Sequence, residues 1–272
     1  MDPQNRVPQE KTAMHSLVVL AHPEPRSFNG RLARAARETL EAGGYTTRLL
    51  DLYGEGFDPR EAPEHYPARR DPGRFSAMSA QRRAAETGRL PPDVARAIGW
   101  LEQSDLVVFQ CPLWWFSLPA MLKGWLDRVF AYGAVYDSRM RYDRGRFRGR
   151  RALVSITTGG PAASHGPDGR QGDLDLLLWP LHFSLHYVGF SVLPPWRSFA
   201  VEGGRFGADP EAHRRHLAAC EAGLRRHLAG LDALQPLPFN GWDDWDAEGR
   251  LKSGAPSHGP FMRHLPETAA SG

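Results

Sequence analysis

The sequence predicts an α/β fold built on a doubly wound, five-stranded parallel sheet. Three observations predict it. Short, continuous apolar runs recur along the chain, each too brief for a helix and bounded by turn residues. Stretches with apolar residues three and four positions apart lie between them, so strand and helix alternate. The chain has 272 residues, 41% of them hydrophobic and 24% charged, a balance that suits one packed core and excludes disorder, collagen and coiled coil.

Residues 1–15 are polar with two prolines and read as an N-terminal tail. Residues 16–21, Ser-Leu-Val-Val-Leu-Ala, read as a strand buried on both faces. Ser27 is a candidate N-cap, after which Phe28, Leu32, Ala35, Ala36, Thr39 and Leu40 fall on one helical stripe that Gly43 and Gly44 stop. Residues 45–52 form a second strand, interrupted by Arg48. Residues 53–92 are dominated by Pro, Arg, Glu and Gly and read as a surface excursion, with Pro92 and Asp93 opening a short helix to Gln103. Residues 105–110 form the third strand, and Pro119 begins a helix whose Leu118, Met121, Leu122, Trp125, Leu126, Val129 and Phe130 bury a wide face. A fourth strand at 152–157, a helix at 173–187, a fifth strand at 189–193 and a long helix at 210–231 complete the domain. One domain over 16–231 and a Pro-, Gly- and Ser-rich C-terminal extension over 232–272 are therefore expected.

With 34 basic and 31 acidic residues the net charge is +3, so bulk charge gives no reason to expect nucleic-acid binding. The seven arginines between Arg139 and Arg151 read either as a solvated loop or as a phosphate patch. Cys111 and Cys220 are too few for a disulfide framework or a thiolate metal site, so no metal is expected. No apolar stretch approaches the roughly 20 residues that span a bilayer, and the N-terminus has no secretory pattern. No membrane insertion and a cytoplasmic location are expected.

In a doubly wound sheet, ligands gather beyond the carboxyl ends of the strands. Three such ends carry chemistry. The first, His22 to Asn29, holds neither a dinucleotide nor a P-loop glycine fingerprint, but Ser27, Phe28 and Asn29 open a helix whose free N–H groups suit a phosphate. His22 at the strand tip is a further donor or a structural residue. The second end, Cys111-Pro112-Leu113-Trp114-Trp115-Phe116, has three consecutive aromatics that either line a cleft for a flat ring or pack beneath the loop. The third, Thr157-Thr158-Gly159-Gly160, lets backbone N–H groups approach a ligand closely. Together they describe a flavin nucleotide.

These residues resemble the NAD(P)H:quinone oxidoreductases of the DT-diaphorase type, which have a flavodoxin-like fold. The resemblance rests on Leu20-Ala21-His22-Pro23 with Ser27-Phe28-Asn29, on residues 105–110 with Pro112-Leu113 and Trp115-Phe116, on Leu122-Lys123-Gly124-Trp125 with Arg128-Val129-Phe130, and on Ser155 to Gly160; Leu178-Trp179-Pro180 and Gly189-Phe190 continue it. It implies strand order 2-1-3-4-5, non-covalent FAD (FMN being possible), NAD(P)H as co-substrate, a quinone or similar small acceptor, and a homodimer with active sites between subunits. It further implies that His22, Ser27, Phe28 and Asn29 hold the phosphates and ribityl chain, that Pro112, Leu113, Trp114, Trp115 and Phe116 flank the isoalloxazine, and that Thr157, Thr158, Gly159 and Gly160 cradle its pyrimidine edge. Tyr136 matches a substrate-pocket aromatic contributed by the neighbouring subunit.

Two departures bear on function. Where the pattern has a second tyrosine after Tyr136 this chain has Ser138, and where it has a tyrosine and a histidine on the charge-stabilising loop this chain has His165 and Gln171. The expectation is a two-electron, ping-pong quinone reductase in which Gly159, Gly160 and His165 stabilise charge, with Trp115, Tyr136 and His165 lining the substrate slot. The alternatives are a regulatory flavoprotein of a potassium efflux system or an azo or nitro reductase; a one-electron flavodoxin carrier fits less well, because such carriers are small and acidic.

Overall fold

A computed structural model describes residues 13–202 and 209–265. Its central sheet contains β1 (Met14–Leu20), β2 (Tyr45–Asp51), β3 (Leu106–Pro112), β4 (Arg151–Thr157), β5 (Ser191–Val192) and β6 (Trp196–Ser198). The order is β2-β1-β3-β4-β5, with β6 also on β4, and every pairing is parallel. Helices α1 (Phe28–Ala42), α2 (Ala77–Glu86), α3 (Pro92–Gln103), α4 (Ala120–Val129), α5 (Leu174–Tyr187) and α6 (Pro210–Ala229) surround it.

The continuous apolar runs follow from coverage on both sides. Along β1, Val18 and Leu20 pack with Leu32 and Ala36 of α1 and Leu224 and Leu228 of α6. Leu17 and Val19 point the other way, into the larger core with Leu101 of α3, Trp125 of α4 and Leu178 and Leu185 of α5.

Several boundaries differ from the sequence expectation, each for a local reason. Met14 and His15 of the expected tail extend β1 and pair with Tyr45 and Thr46. Pro119 is the N-cap of α4, with ψ 141°, rather than part of its first turn. The single fifth strand becomes two short pieces. Ser191 and Val192 pair with Arg151 and Ala152, while Trp196 to Ser198 pair with Ser155 to Thr157, giving a six-stranded sheet. Between them Pro194 and Pro195 have no N–H to offer, so the ladder is interrupted. The long final helix stops at Ala229, and a short 3-10 turn, Leu231–Ala233, follows Gly230.

The excursion after β2 is not merely surface loop. It holds α2, and Tyr66, Ala80 and Ala84 bury a small satellite core. Buried Arg128 of α4 anchors it, donating to Asp93 at 2.7 Å and to the Asp58 carbonyl at 2.7 Å. The arginine run is likewise tied down: Arg144 pairs with Asp243, Arg146 with Glu102, and Arg151 donates to Tyr45 at 2.6 Å.

The C-terminal segment forms a strap over α5. Phe239 stacks on His186 at 4.7 Å and Phe261 on Trp179 at 4.6 Å, while the His186 Nε2–H donates to the Asn240 carbonyl at 2.9 Å. Among the described residues no helix is long and apolar enough to cross a membrane.

Candidate active site at the switch point of the sheet

The chain leaves β1 for β2 on one side and returns to β3 on the other, so the strand order reverses between β1 and β3. There the three predicted loops lie side by side. The Ala21 N–H donates to the Gln110 carbonyl at 3.0 Å and the Leu113 N–H to the Thr157 carbonyl at 2.8 Å, extending the ladder past the strand tips. The His22 and Trp114 rings are 5.9 Å apart.

In the first loop, the Ser27 hydroxyl accepts from the Gly30 N–H at 3.1 Å and caps α1. Helix geometry leaves the N–H groups of Phe28 and Asn29 without intrahelical acceptors, facing the loop with the positive end of the helix dipole. Gly30 is required here: a Cβ would lie 2.1 Å from the Pro25 carbonyl oxygen. His22 Nδ1 accepts from the Glu24 N–H at 3.1 Å, which in the neutral ring leaves Nε2–H as a donor. Arg26 holds the Glu24 carboxyl below its ordinary pKa, first through its backbone N–H and then through its side chain.

The Asn29 side chain serves the scaffold rather than the cleft. It is buried, donates to Thr157 Oγ1 at 3.0 Å and accepts from Gln110 Nε2 at 2.8 Å. This leaves its backbone N–H, not its amide, for an anion.

The second loop is a two-residue hairpin. Trp114 and Ser117 exchange backbone bonds, each at 3.0 Å, while Trp115 and Phe116 between them sit at φ 49° and 58°. Positive φ at both central residues defines a type I′ turn, which normally takes Asn or Gly. Two large aromatics there cost conformational energy, and both are turned outward: Trp115 is 94% exposed and Phe116 53%. These aromatics therefore face outward and are not packed beneath the loop.

The third loop is supported from β6. Thr158 N–H donates to the Ser198 carbonyl at 2.9 Å, and the Gly160 carbonyl accepts from Ala200 N–H at 2.8 Å and from Thr158 Oγ1 at 2.9 Å. A Cβ at Gly160 would lie 3.0 Å from His165 Cε1 and Gln171 Oε1, and one at Gly159 would lie 2.7 Å from the Glu202 carboxyl carbon. His165 and Gln171 thus both reach the glycine pair. His165 is 5% exposed, so it is no free loop residue, and its Nδ1 is 3.0 Å from the Pro161 carbonyl. Glu202 and Ser198 were not foreseen; they arrive through β6, whose two-proline lead-in carried no strand signal.

Tyr136 shares a groove with the second loop, through Leu113 and Ser117. It lines a groove of about 430 Å³ between α4 and α5 together with Leu113, Phe183 and Tyr187. Its ring meets Tyr132 at 5.3 Å and Tyr187 at 5.6 Å, and burial, followed by those two phenols, raises its pKa, so it stays a neutral donor.

Three comparisons bear on this arrangement. Residues 14–224 match a family described as having a flavodoxin-like fold. The chain is 43% identical over 188 residues to the mouse ribosyldihydronicotinamide dehydrogenase [quinone], covering 68% of this chain and 81% of that protein. It is 38% identical over 226 residues to the guinea pig NAD(P)H dehydrogenase [quinone] 1, covering 82% and 79%. A solved Klebsiella pneumoniae protein assigned as a quinone reductase superposes with a TM-score of 0.78 at 32% identity, covering 88% of this chain and 94% of that one.

Proposed function

This chain belongs to the flavodoxin-like family of NAD(P)H:quinone oxidoreductases, and we propose that it is a flavin-dependent, cytoplasmic enzyme that reduces quinones by two electrons in a ping-pong cycle. One observation carries the flavin reading: a strained, outward-facing aromatic turn follows β3 at the switch point of the sheet, next to the β4 end whose Gly159-Gly160 pair packs closely against Glu202, His165 and Gln171. FAD is the proposed cofactor. When bound, it supplies the hydride relay between NAD(P)H and the acceptor, which occupy one slot in turn.

The protein positions and neutralises. Backbone N–H groups of Phe28 and Asn29 and the Nε2–H of His22 suit the phosphates, while Ser27 fixes the helix end that presents them. Pro112, Leu113, Trp114, Trp115 and Phe116 flank the ring, with Trp115 also walling the substrate slot. Thr157 and Thr158 brace the loop from which the Gly159 and Gly160 N–H groups meet the charge-bearing ring edge. His165 packs against Gly160, its Nδ1 3.0 Å from the Pro161 carbonyl and 3.2 Å from the Ser164 hydroxyl, and is proposed to assist the glycine N–H groups at that ring edge.

The working unit is proposed to be a homodimer, with the groove around Tyr136 completed by a second copy. Sedimentation of the flavin-loaded protein should give a dimer; a fully active monomer rejects it. The cofactor reading is tested by the visible spectrum and by chromatography of the released flavin. A colourless protein that takes up neither FAD nor FMN overturns it.

The mouse relative favours a second reading of the electron donor, in which dihydronicotinamide riboside replaces NAD(P)H. Comparing kcat/KM for NADH, NADPH and dihydronicotinamide riboside at fixed quinone decides the matter.

A further inference from the structure

The groove around Tyr136 includes Leu113 and Ser117 of the second loop at one part of its wall and Tyr187 of α5 at another. A further groove, of about 530 Å³, adjoins it: Phe183 lines both, and Arg141, Tyr142, Trp242, Trp245 and Asp246 wall the second. Arg141 links the two. Its Nη1 donates to the Tyr187 hydroxyl at 3.1 Å and its Nη2 to the Ser138 carbonyl at 2.9 Å, while the guanidinium carbon lies 5.8 Å from the Tyr187 ring centre and 5.6 Å from that of Trp242. All of these partners are neutral, so they hold the cation in place without cancelling its charge. Arg144, Arg146 and Arg151 of the same run pair with Asp243, Glu102 and Asp232, whereas no carboxylate among the described residues lies within ion-pair distance of Arg141. The nearby acids are engaged elsewhere. Asp137 accepts from the Arg139 and Met140 N–H groups, each at 2.7 Å, and Asp246 accepts from those of Glu248 and Arg250. In the first groove Lys123 is paired with Asp127. The charge of Arg141 is felt there: burial and then the Tyr187 and Tyr132 phenols raise the Tyr136 pKa, and Arg141 opposes them.

We propose that Arg141 selects the electron acceptor by charge, favouring quinones that carry a carboxylate or sulfonate over their uncharged counterparts. This selectivity rests on the quinone reductase reading above and on the Tyr136 groove forming part of the acceptor slot. A guanidinium already held by two hydrogen bonds and two rings loses little freedom when an anion arrives, and aromatic walls that displace water strengthen the attraction. The attraction acts on the bound acceptor as a whole, so it belongs in KM rather than in kcat.

The test compares kcat/KM for a naphthoquinone sulfonate and for the same naphthoquinone without the sulfonate, using the flavin-loaded protein and its Arg141→Met and Arg141→Lys variants. The ratio of the two acceptors within each protein cancels their difference in intrinsic reactivity. In Arg141→Met this ratio should fall about tenfold, through the KM of the sulfonate, and added salt should lower it in the parent but not in this variant. Arg141→Lys keeps the charge and should keep the ratio well above that of Arg141→Met. A fall smaller than about threefold overturns the proposal, as does an equal fall in both variants, which makes Arg141 a packing residue between Tyr187 and Trp242. Calorimetric titration of naphthalene sulfonate into the purified full chain adds a readout without turnover. Saturable binding that weakens in Arg141→Met is expected; absent binding, or binding indifferent to the substitution, overturns the proposal. A protein that reduces neither quinone fails the enzyme reading, and the titration still decides the charge selectivity, so the two readings fail separately.

Discussion

The Gln110 amide donates to Asn29 Oδ1 across 2.8 Å, joining the end of β3 to the first turn of α1 inside the protein. Asn29 then donates to Thr157 Oγ1 on β4, so one buried amide spans the point where the sheet reverses. The helix N-terminus and the glycine loop are thereby held in fixed relation before any ligand arrives.

Replacing Asn29 by Leu should cost about 1–3 kcal/mol, because the Gln110 amide and the Thr157 hydroxyl lose their buried partner. Urea unfolding measures this, and flavin affinity should fall in parallel. A variant as stable as the parent would show the bridge to be dispensable.

Trp115 occupies a backbone conformation that glycine adopts freely. Trp115→Gly should leave the melting temperature of the flavin-free protein unchanged or raised, while weakening flavin binding by roughly tenfold or more through loss of one aromatic contact, on the order of 1 kcal/mol or above. Thermal melts and fluorescence titration check the two halves. Lower stability with unchanged affinity would make the aromatic turn structural.

His165→Ala should slow flavin reduction roughly tenfold or more while leaving flavin binding nearly intact, as expected for loss of one positioned donor. Stopped-flow measurement at matched flavin occupancy decides. A rate within about twofold of the parent's across the range where imidazole titrates leaves the glycine N–H groups to act alone.

Burial, followed by the nearby charge of Arg197, pushes the pKa of His182 from 6.5 down to about 4. Between those values the unfolded chain binds more protons than the folded one, so stability rises with pH. The contribution of His182 is therefore full above about pH 6.5 and is lost as pH falls toward 4, on the order of 3 kcal/mol in all. His182→Phe should flatten this part of the profile when urea midpoints at pH 7 and pH 5 are compared with the parent's. Parallel profiles would mean that His182 does not titrate in this way.

The parts of the fold legible in the sequence are those whose residues answer to one local rule. Residues 106–112 are all buried, and their unbroken apolar run follows from cover on both faces. Helix α2 escaped notice because it buries only Ala80, Gln81 and Ala84, too small and polar a stripe to stand out among arginines. The strap escaped because its order comes from contacts such as Phe261 on Trp179, between segments far apart in the chain. At the site, the three loops were readable as strand ends. The commitment of the Asn29 amide to Gln110 was not, since a residue two positions after an N-cap looks the same whether its side chain faces ligand or sheet. The reach of Glu202 to Gly159 depends on β6, which three residues beyond two prolines do not announce.

The interruption at Pro194 and Pro195 also governs how this molecule meets others of its kind. A sheet edge offers a row of unpaired N–H and C=O groups on which a foreign strand can assemble. Here that edge is cut into pieces of two and three residues, the two prolines between them lack N–H donors, and the Leu237 N–H of the strap donates to the Val192 carbonyl at 2.8 Å. An edge so short and interrupted, with one of its carbonyls taken by the strap, offers a foreign strand little to pair with.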